Sequence, residues 1–214
     1  MFDNDSHQQL LSEALRPKLL SELAISSKTI SALEIFIKRG SIPNLLFYGD
    51  PGAGKTSAAK IIASRFDTYV INGSDQRKER STISAIEQFA STVSMCGLPK
   101  VCLIDEGDYL PKESQAVLRG LIESLSSHCR FIVTANNRNK LSDAIQSRLT
   151  AIQFSVPIVE RNAIIERYTT SLHEKLISLK YQVDRDWLKS RVLLRFPDFR
   201  SIANDVELNA TNFN

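Results

Sequence analysis

At 214 residues, 43% hydrophobic and 24% charged, the chain has the size of one ordinary domain plus a small one and the composition of a globular protein. No apolar run approaches the roughly 18–20 residues that cross a bilayer, and the acidic start "MFDNDSHQQL" is not a secretory signal. A net charge of +3 does not mark a nucleic-acid binder by itself, so any such site must be a local patch.

In chain order, residues 6–38 read as two helices broken at Pro17, the second marked by Ile30, Leu33 and Ile37. From residue 40 to 156, short apolar runs alternate with helical patterns. The runs are "NLLFYG" (44–49), "TYVING" (68–73), "KVCLID" (100–105), "RFIVTAN" (130–136) and "AIQF" (151–154). Four of the five are continuous, as strands covered on both faces are. Between them, Ile83, Ile86, Ala90 and Val93 repeat at helical spacing, as do Val117, Leu118, Leu121, Ile122 and Leu125, and Pro111 suits the first turn of that second helix. The alternation predicts an α/β fold with a five-stranded parallel sheet flanked by helices over 1–156. After Pro157, Ile165, Tyr168, Leu172, Leu176 and Leu179 form one long stripe, Asp184 caps a helix carrying Leu188 and Val192, and "FPDFRSIANDVELNA" reads as another helix. Residues 157–214 are therefore expected to form a small all-helical domain. Cys96, Cys102 and Cys129 fit neither a zinc ribbon nor a disulfide framework, so reduced thiols in a cytoplasmic protein are expected.

The chemistry begins at "GDPGAGKT". Gly49, Gly54, Lys55 and Thr56 satisfy the P-loop spacing between a strand and a helix. The loop Gly49, Asp50, Pro51, Gly52, Ala53, Gly54, with Lys55, Thr56 and Ser57, is expected to wrap backbone N–H groups around phosphate oxygens at a positive helix end. Lys55 puts a cation on the outer phosphates, and the Thr56 hydroxyl ligates Mg²⁺. In "VCLIDEGD", one strand and one helix later, Asp105 meets Mg²⁺ through its water shell. Glu106 then polarises a water for attack on the γ-phosphate, so hydrolysis of ATP is expected rather than transfer to a small acceptor. Asn136 ends the next strand and is placed to sense the γ-phosphate. Arg148, before the last strand, reads either as a solvated charge or as an arginine finger reaching a neighbour's phosphate. Arg200, near a helix start, is placed to fold back onto the phosphates.

This order of motifs resembles the AAA+ ATPases. "PNLLFYGDPGAGKTS", "VINGSD", "LIDEGDYLPKESQAVLRGLIE", "RFIVTANNRNKLSDAIQSR" and "FPDFRS" together are similar to sliding-clamp loaders of the replication factor C type, especially those of T-even phages. The resemblance runs from about residue 13 to about residue 207. It implies a P-loop AAA+ sheet followed by a helical lid, with ATP and Mg²⁺ as cofactors. Lys55 and Thr56 match the phosphate and metal residues, and Asp105 and Glu106 the metal-side acid and catalytic glutamate. Asn136 matches the first sensor, Arg148 the arginine finger and Arg200 the second sensor. Arg16, between Leu15 and Pro17, matches the segment flanking the adenine pocket. Arg77, Gln115 and Arg119 match positions that face the DNA channel or couple neighbouring ATP sites, although "QRKER" (76–80) reads equally as a basic surface loop.

The implied partners are other loader subunits in a ring or spiral, a sliding clamp and primer–template DNA held through its backbone, with no membrane. Such loaders carry a third, collar domain that would begin where this chain stops. An isolated chain is therefore expected to be largely monomeric and slow as an ATPase. The same residues leave open another AAA+ task, such as loading a helicase or remodelling a protein, and a non-catalytic loader-like subunit. Lys55, Glu106 and Arg148, all present, count against the last.

Overall fold

The computed structural model describes residues 11–75, 79–92, 94, 97–209 and 211–212, without the side chains of 79–83 and 211–212. Arg77, Val93, Cys96, residues 6–10 and the side chain of Ile83 lie outside what is described.

Five strands form one parallel sheet: β1 (Leu45–Gly49), β2 (Thr68–Asn72), β3 (Lys100–Asp105), β4 (Cys129–Ala135) and β5 (Thr150–Phe154), in the order β2-β3-β4-β1-β5. Before the sheet come α1 (Leu11–Ala14) and α2 (Ser27–Arg39), and the strands are connected by α3 (Lys55–Ala63), α4 (Glu79–Ser91), α5 (Lys112–Ser124) and the short α6 (Asp143–Gln146). Successive strand residues point to opposite faces. Leu45, Phe47, Val101, Leu103 and Ile132 accordingly pack with Ala58, Ala59 and Ile62 of α3 on one face. Leu46, Cys102, Ile104, Phe131 and Val133 pack with Leu118, Leu121 and Ile122 of α5, and with Ile86 and Ala90 of α4, on the other. Both faces are covered, which is why the runs are continuous rather than alternating. Each fully buried large side chain contributes roughly 1.5–3 kcal/mol.

The N-terminal segment differs from the two helices expected of 6–38. Among the described residues, α1 spans only Leu11–Ala14, a single 3-10 turn follows at Leu20–Glu22, and α2 (Ser27–Arg39) begins afresh. Pro17 disfavours helical geometry at the residue before it, and α1 ends at Ala14. Ser26 then caps α2 by accepting from the Thr29 N–H at 3.1 Å, and Gly40 closes it in left-handed geometry. What lies between is a strap that lines a cavity.

Beyond β5 come α7 (Arg161–Ser178), α8 (Arg185–Arg195) and α9 (Phe199–Asn209). Asp184 caps α8 by accepting from the Trp187 N–H at 2.7 Å. The region is not wholly helical: β6 (Tyr181–Gln182) and β7 (Thr211–Asn212) form a two-residue antiparallel ladder. The core of these helices, Ile165, Leu172, Leu176, Leu188, Val192, Ile202 and Val206, also takes in Leu11, Leu15 and Ala24 from the strap. Polar contacts fix the strap there. Glu207 accepts from the N–H groups of Leu11 and Ser12, Lys175 donates to the Arg16 carbonyl at 2.7 Å, and Arg167 donates to the Ile25 carbonyl at 2.9 Å. Among the described residues no helix is long and apolar enough to cross a membrane.

Candidate nucleotide site

The sheet order explains where the site falls. β3, β4 and β1 are adjacent, so the segments leaving their carboxyl ends lie side by side across about 10 Å. These segments carry Asp105 and Glu106, Asn136, and the P-loop. Together with the strap and the helices α7 and α9 they enclose a cavity of about 390 Å³. Pro51, Gly52, Gly54, Lys55, Thr56, Ser57, Asp105, Glu106, Asn136, Arg200 and Arg16 all line it.

The P-loop end is built to receive an anion. The N–H groups of Gly54, Lys55, Thr56 and Ser57 open α3, and the first bond the helix makes is from the Ala58 N–H to the Gly54 carbonyl. Lys55 is 6% exposed, and its ammonium donates to the carbonyls of Gly49 (2.9 Å) and Asp50 (2.7 Å), leaving its third hydrogen for a ligand. Burial holds Lys55 below the ordinary lysine range; the carboxylates of Asp108, Asp50 and Asp105 oppose that shift, and Arg200 adds to it. The Thr56 hydroxyl donates to Asp105 Oδ1 at 2.8 Å. A hydroxyl beside a carboxylate, with a phosphate cradle adjoining, is a hard oxygen set that fits Mg²⁺.

At the end of β3 the backbone is unusual. Glu106 has φ 55 and ψ 43, left-handed geometry that costs a residue with a side chain roughly 1–2 kcal/mol. Three contacts hold it. The Glu106 N–H donates to the Thr134 hydroxyl, its carbonyl accepts from the Tyr109 N–H, and the preceding Asp105 carbonyl accepts from the Gly73 N–H at 2.7 Å. Gly73 must be glycine, because a Cβ there would sit 2.6 Å from the Glu106 carbonyl oxygen. The Glu106 carboxylate, the Asn136 amide and the Arg200 guanidinium have no hydrogen-bond partner among the described residues.

The helices after β5 reach the P-loop directly. The Phe199 N–H donates to the Gly52 carbonyl at 3.2 Å. Asp198 caps α9 by accepting from Arg200 N and Ser201 N, both at 3.1 Å, and from the Ser201 hydroxyl at 2.7 Å. That cap aims Arg200 across the cavity mouth. Leu15, Pro17, Leu23, Ala24 and Tyr168 form its more apolar end, where the Tyr168 ring packs 4.7 Å from Phe199.

Not every expected residue joins this site. Arg148 is absent from the cavity wall. Its Nε donates to Glu123 Oε1 at 2.7 Å, its Nη2 pairs with the same oxygen, and its Nη1 donates to the Ala144 carbonyl. Arg119 is exposed on α5, away from the cavity. Gln115 does not face an open channel. It is 4% exposed, and its amide donates to the carbonyls of Leu110 and Lys140 while accepting from the Ser142 N–H. Buried hydrogen bonding takes up its whole side chain, leaving it a coupling position between the loops after β3 and β4. Arg77 lies outside the described residues.

Sequence reasoning missed Thr134, Tyr168 and Asn204, which line the cavity too. Thr134 carried a signal: two residues before Asn136 in a strand, it shares that face. Asn204 stands one turn beyond Arg200 on α9, but nothing in the sequence placed that helix at the cavity. Cys102 and Cys129 were separate thiols in the sequence; on neighbouring strands their sulfurs lie 3.6 Å apart, both buried and unbridged.

A P-loop opening a helix, with an acid-tipped strand one strand away in the same parallel sheet and C-terminal helices lining the cavity between them, is the arrangement of a nucleotide-binding ATPase fold. Residues 45–156 match the ATPase family associated with various cellular activities (AAA), and the chain belongs to that family. It is 34% identical over 170 residues to a replication factor C small subunit from Methanoculleus marisnigri, covering 76% of this chain and 52% of that protein. It is 32% identical to a replication factor C small subunit from Staphylothermus marinus, covering 94% and 62%. The chain thus spans little more than half the length of these relatives. Among solved structures, one of RuvB from Thermotoga maritima aligns with TM-score 0.65 at 26% identity, over 91% of this chain and 64% of that one. A second RuvB structure aligns with TM-score 0.68 at 23% identity and the same coverage.

Proposed function

We propose that this chain is an ATP-hydrolysing subunit of a sliding-clamp loader, composed of an AAA+ unit (1–156) and a helical lid (157–214). The observation that carries the reading is the division of the polar groups. Lys55, Thr56, Asp105, Glu106, Asn136 and Arg200 share one cavity, while Arg148 is held elsewhere on the surface. Lys55 and the N–H groups opening α3 hold the phosphates, and the strap and Tyr168 enclose the base. Thr56 and Asp105 would hold Mg²⁺, which would supply charge neutralisation as negative charge builds on the reacting phosphate. Glu106 orients the water and takes its proton as the new P–O bond forms and the bond to ADP breaks. Asn136 and Arg200 hold the γ-phosphate oxygens, so its loss frees the lid. Arg148 acts on the nucleotide of an adjoining subunit.

The replication factor C relatives support the assignment to a clamp loader, working in the cytoplasm with other loader subunits, a clamp and primer–template DNA. DNA contacts by Arg77 and Arg119 would be to phosphates, salt-dependent and indifferent to sequence. The test is the ATPase rate of the reconstituted complex with and without primed DNA and clamp. Stimulation by both is expected, and a rate that neither changes would remove the loader reading.

A further inference from the structure

We infer that Thr134 is a positioning residue for ATP hydrolysis, its hydroxyl fixing the Glu106 backbone and the Asp105 carboxylate together. The inference deepens the proposed function and rests on it. Thr134 sits near the end of β4, 2% exposed, beside the end of β3. Its hydroxyl accepts from the Glu106 N–H at 2.9 Å and lies 2.6 Å from Asp105 Oδ1. A backbone N–H only donates, so the direction of both bonds is settled: the single hydroxyl hydrogen goes to Asp105.

Asp105 Oδ1 therefore accepts from two hydroxyls, Thr134 and Thr56, and is anchored between the sheet and the P-loop. Glu106 is held in left-handed geometry, which persists only where its surroundings over-determine it. The Thr134 hydroxyl is the sole described acceptor for the Glu106 N–H. Without it the turn relaxes toward ordinary φ to find another acceptor, and the carboxylate turns away from the water it polarises. A second bond ties the same two segments. Asp108 Oδ2 accepts from the Asn137 N–H at 3.1 Å, beside Asn136. The acid-bearing and sensing segments are thus joined by these two bonds, and of the two only the one to Thr134 reaches the backbone of Glu106. None of the phosphate-binding groups of the P-loop bonds to Thr134, so the hydroxyl governs the rate rather than nucleotide affinity.

Three variants of the full chain, Thr134→Val, Thr134→Ser and Glu106→Gln, test this by single-turnover ATP hydrolysis and by binding of a fluorescent ATP analogue at saturating Mg²⁺. Thr134→Val keeps the shape and removes the hydroxyl. It is expected to lower kcat about 10- to 100-fold, the range typical of groups that orient first-sphere ligands, with analogue affinity held within about 3-fold. Thr134→Ser restores the hydroxyl and is expected to keep kcat within about 3-fold of the parent. An unchanged kcat in Thr134→Val, or a Ser variant as slow as the Val variant, overturns the inference. If Thr134→Val does not fold, the Ser variant decides alone: retained kcat supports the role of the hydroxyl, and a tenfold loss in folded protein overturns it. A parent turnover that survives Glu106→Gln instead overturns the hydrolytic reading itself, whatever the Thr134 variants do.

Discussion

The contact between Gly52 and Asp198 yields a sharp test of how the start of α9 meets the P-loop. Gly52 has φ 77, and a Cβ added there would overlap the Asp198 carboxylate, with Cγ at 2.8 Å and Cα at 3.1 Å. Gly52→Ala therefore meets two costs. Left-handed geometry at alanine costs roughly 1–2 kcal/mol. Displacing Asp198 also breaks the bond from Phe199 N to the Gly52 carbonyl, worth about 1 kcal/mol net. Asp198→Ala alone removes the cap of α9, about 0.5–2 kcal/mol. In the double variant the carboxylate is no longer in the way, so the Phe199 bond survives and only backbone strain and the lost cap remain. The double variant should thus be about 1 kcal/mol more stable than the summed single losses require, well beyond the roughly 0.3–0.5 kcal/mol scatter of independent sites. Urea unfolding of nucleotide-free protein provides the assay, followed through Trp187, the single tryptophan, which sits on α8. Additivity within that scatter would refute the packing of the α9 cap on the P-loop.

Three further outcomes follow from the site. Glu106→Gln should bind ATP as the parent does and lose turnover by at least about 10²-fold, the scale of positioned proton transfer, measured by phosphate release; normal turnover would remove its proposed role. Arg148→Ala should leave the chain's own ATP affinity unchanged, because Arg148 does not line its cavity, while slowing hydrolysis at a neighbour's site about 10³-fold in mixed assemblies. Loss of affinity in the isolated chain would instead make Arg148 structural. Gln115→Leu should lower stability by at least about 2 kcal/mol in a thermal or urea melt, because it strands the carbonyls of Leu110 and Lys140 and the Ser142 N–H; an unchanged midpoint would contradict that buried network.

The sheet was legible because burial on both faces leaves a strong mark: β1 to β5 fall within a residue or so of the apolar runs. The P-loop and the acids were legible for another reason, since chemistry fixes residue types at short spacings in one segment. What was hidden depends on contacts distant in the chain. The strap of residues 15–26 has apolar residues at near-helical spacing, yet its geometry is set by Arg167 and Lys175, more than 140 residues away. The β6–β7 ladder pairs two residues with two, too short for any periodicity. The burial of Gln115, which the resemblance gave as facing a DNA channel or coupling neighbouring sites, was hidden because only the tertiary fold supplies the three backbone partners that make it tolerable.

The position of Arg148 bears on the proposal that a second subunit completes the site. Its segment leads into β5, where the Thr150 N–H bonds the Asn44 carbonyl just before β1. Arg148 therefore lies at the amino-terminal ends of the strands, and the cavity lies at the carboxyl ends. The five residues of β5 separate the two by about 16 Å, so no rotamer change brings this guanidinium to the chain's own phosphates. Its present partner, Glu123, is 53% exposed, and exposed ion pairs are worth only about 0–1 kcal/mol. A γ-phosphate presented by a second molecule offers more charge and a bidentate geometry that a guanidinium matches better than a single carboxylate oxygen. In the proposed role, exchange of Glu123 for that phosphate would cost little and would leave Arg148 anchored by the Ala144 carbonyl.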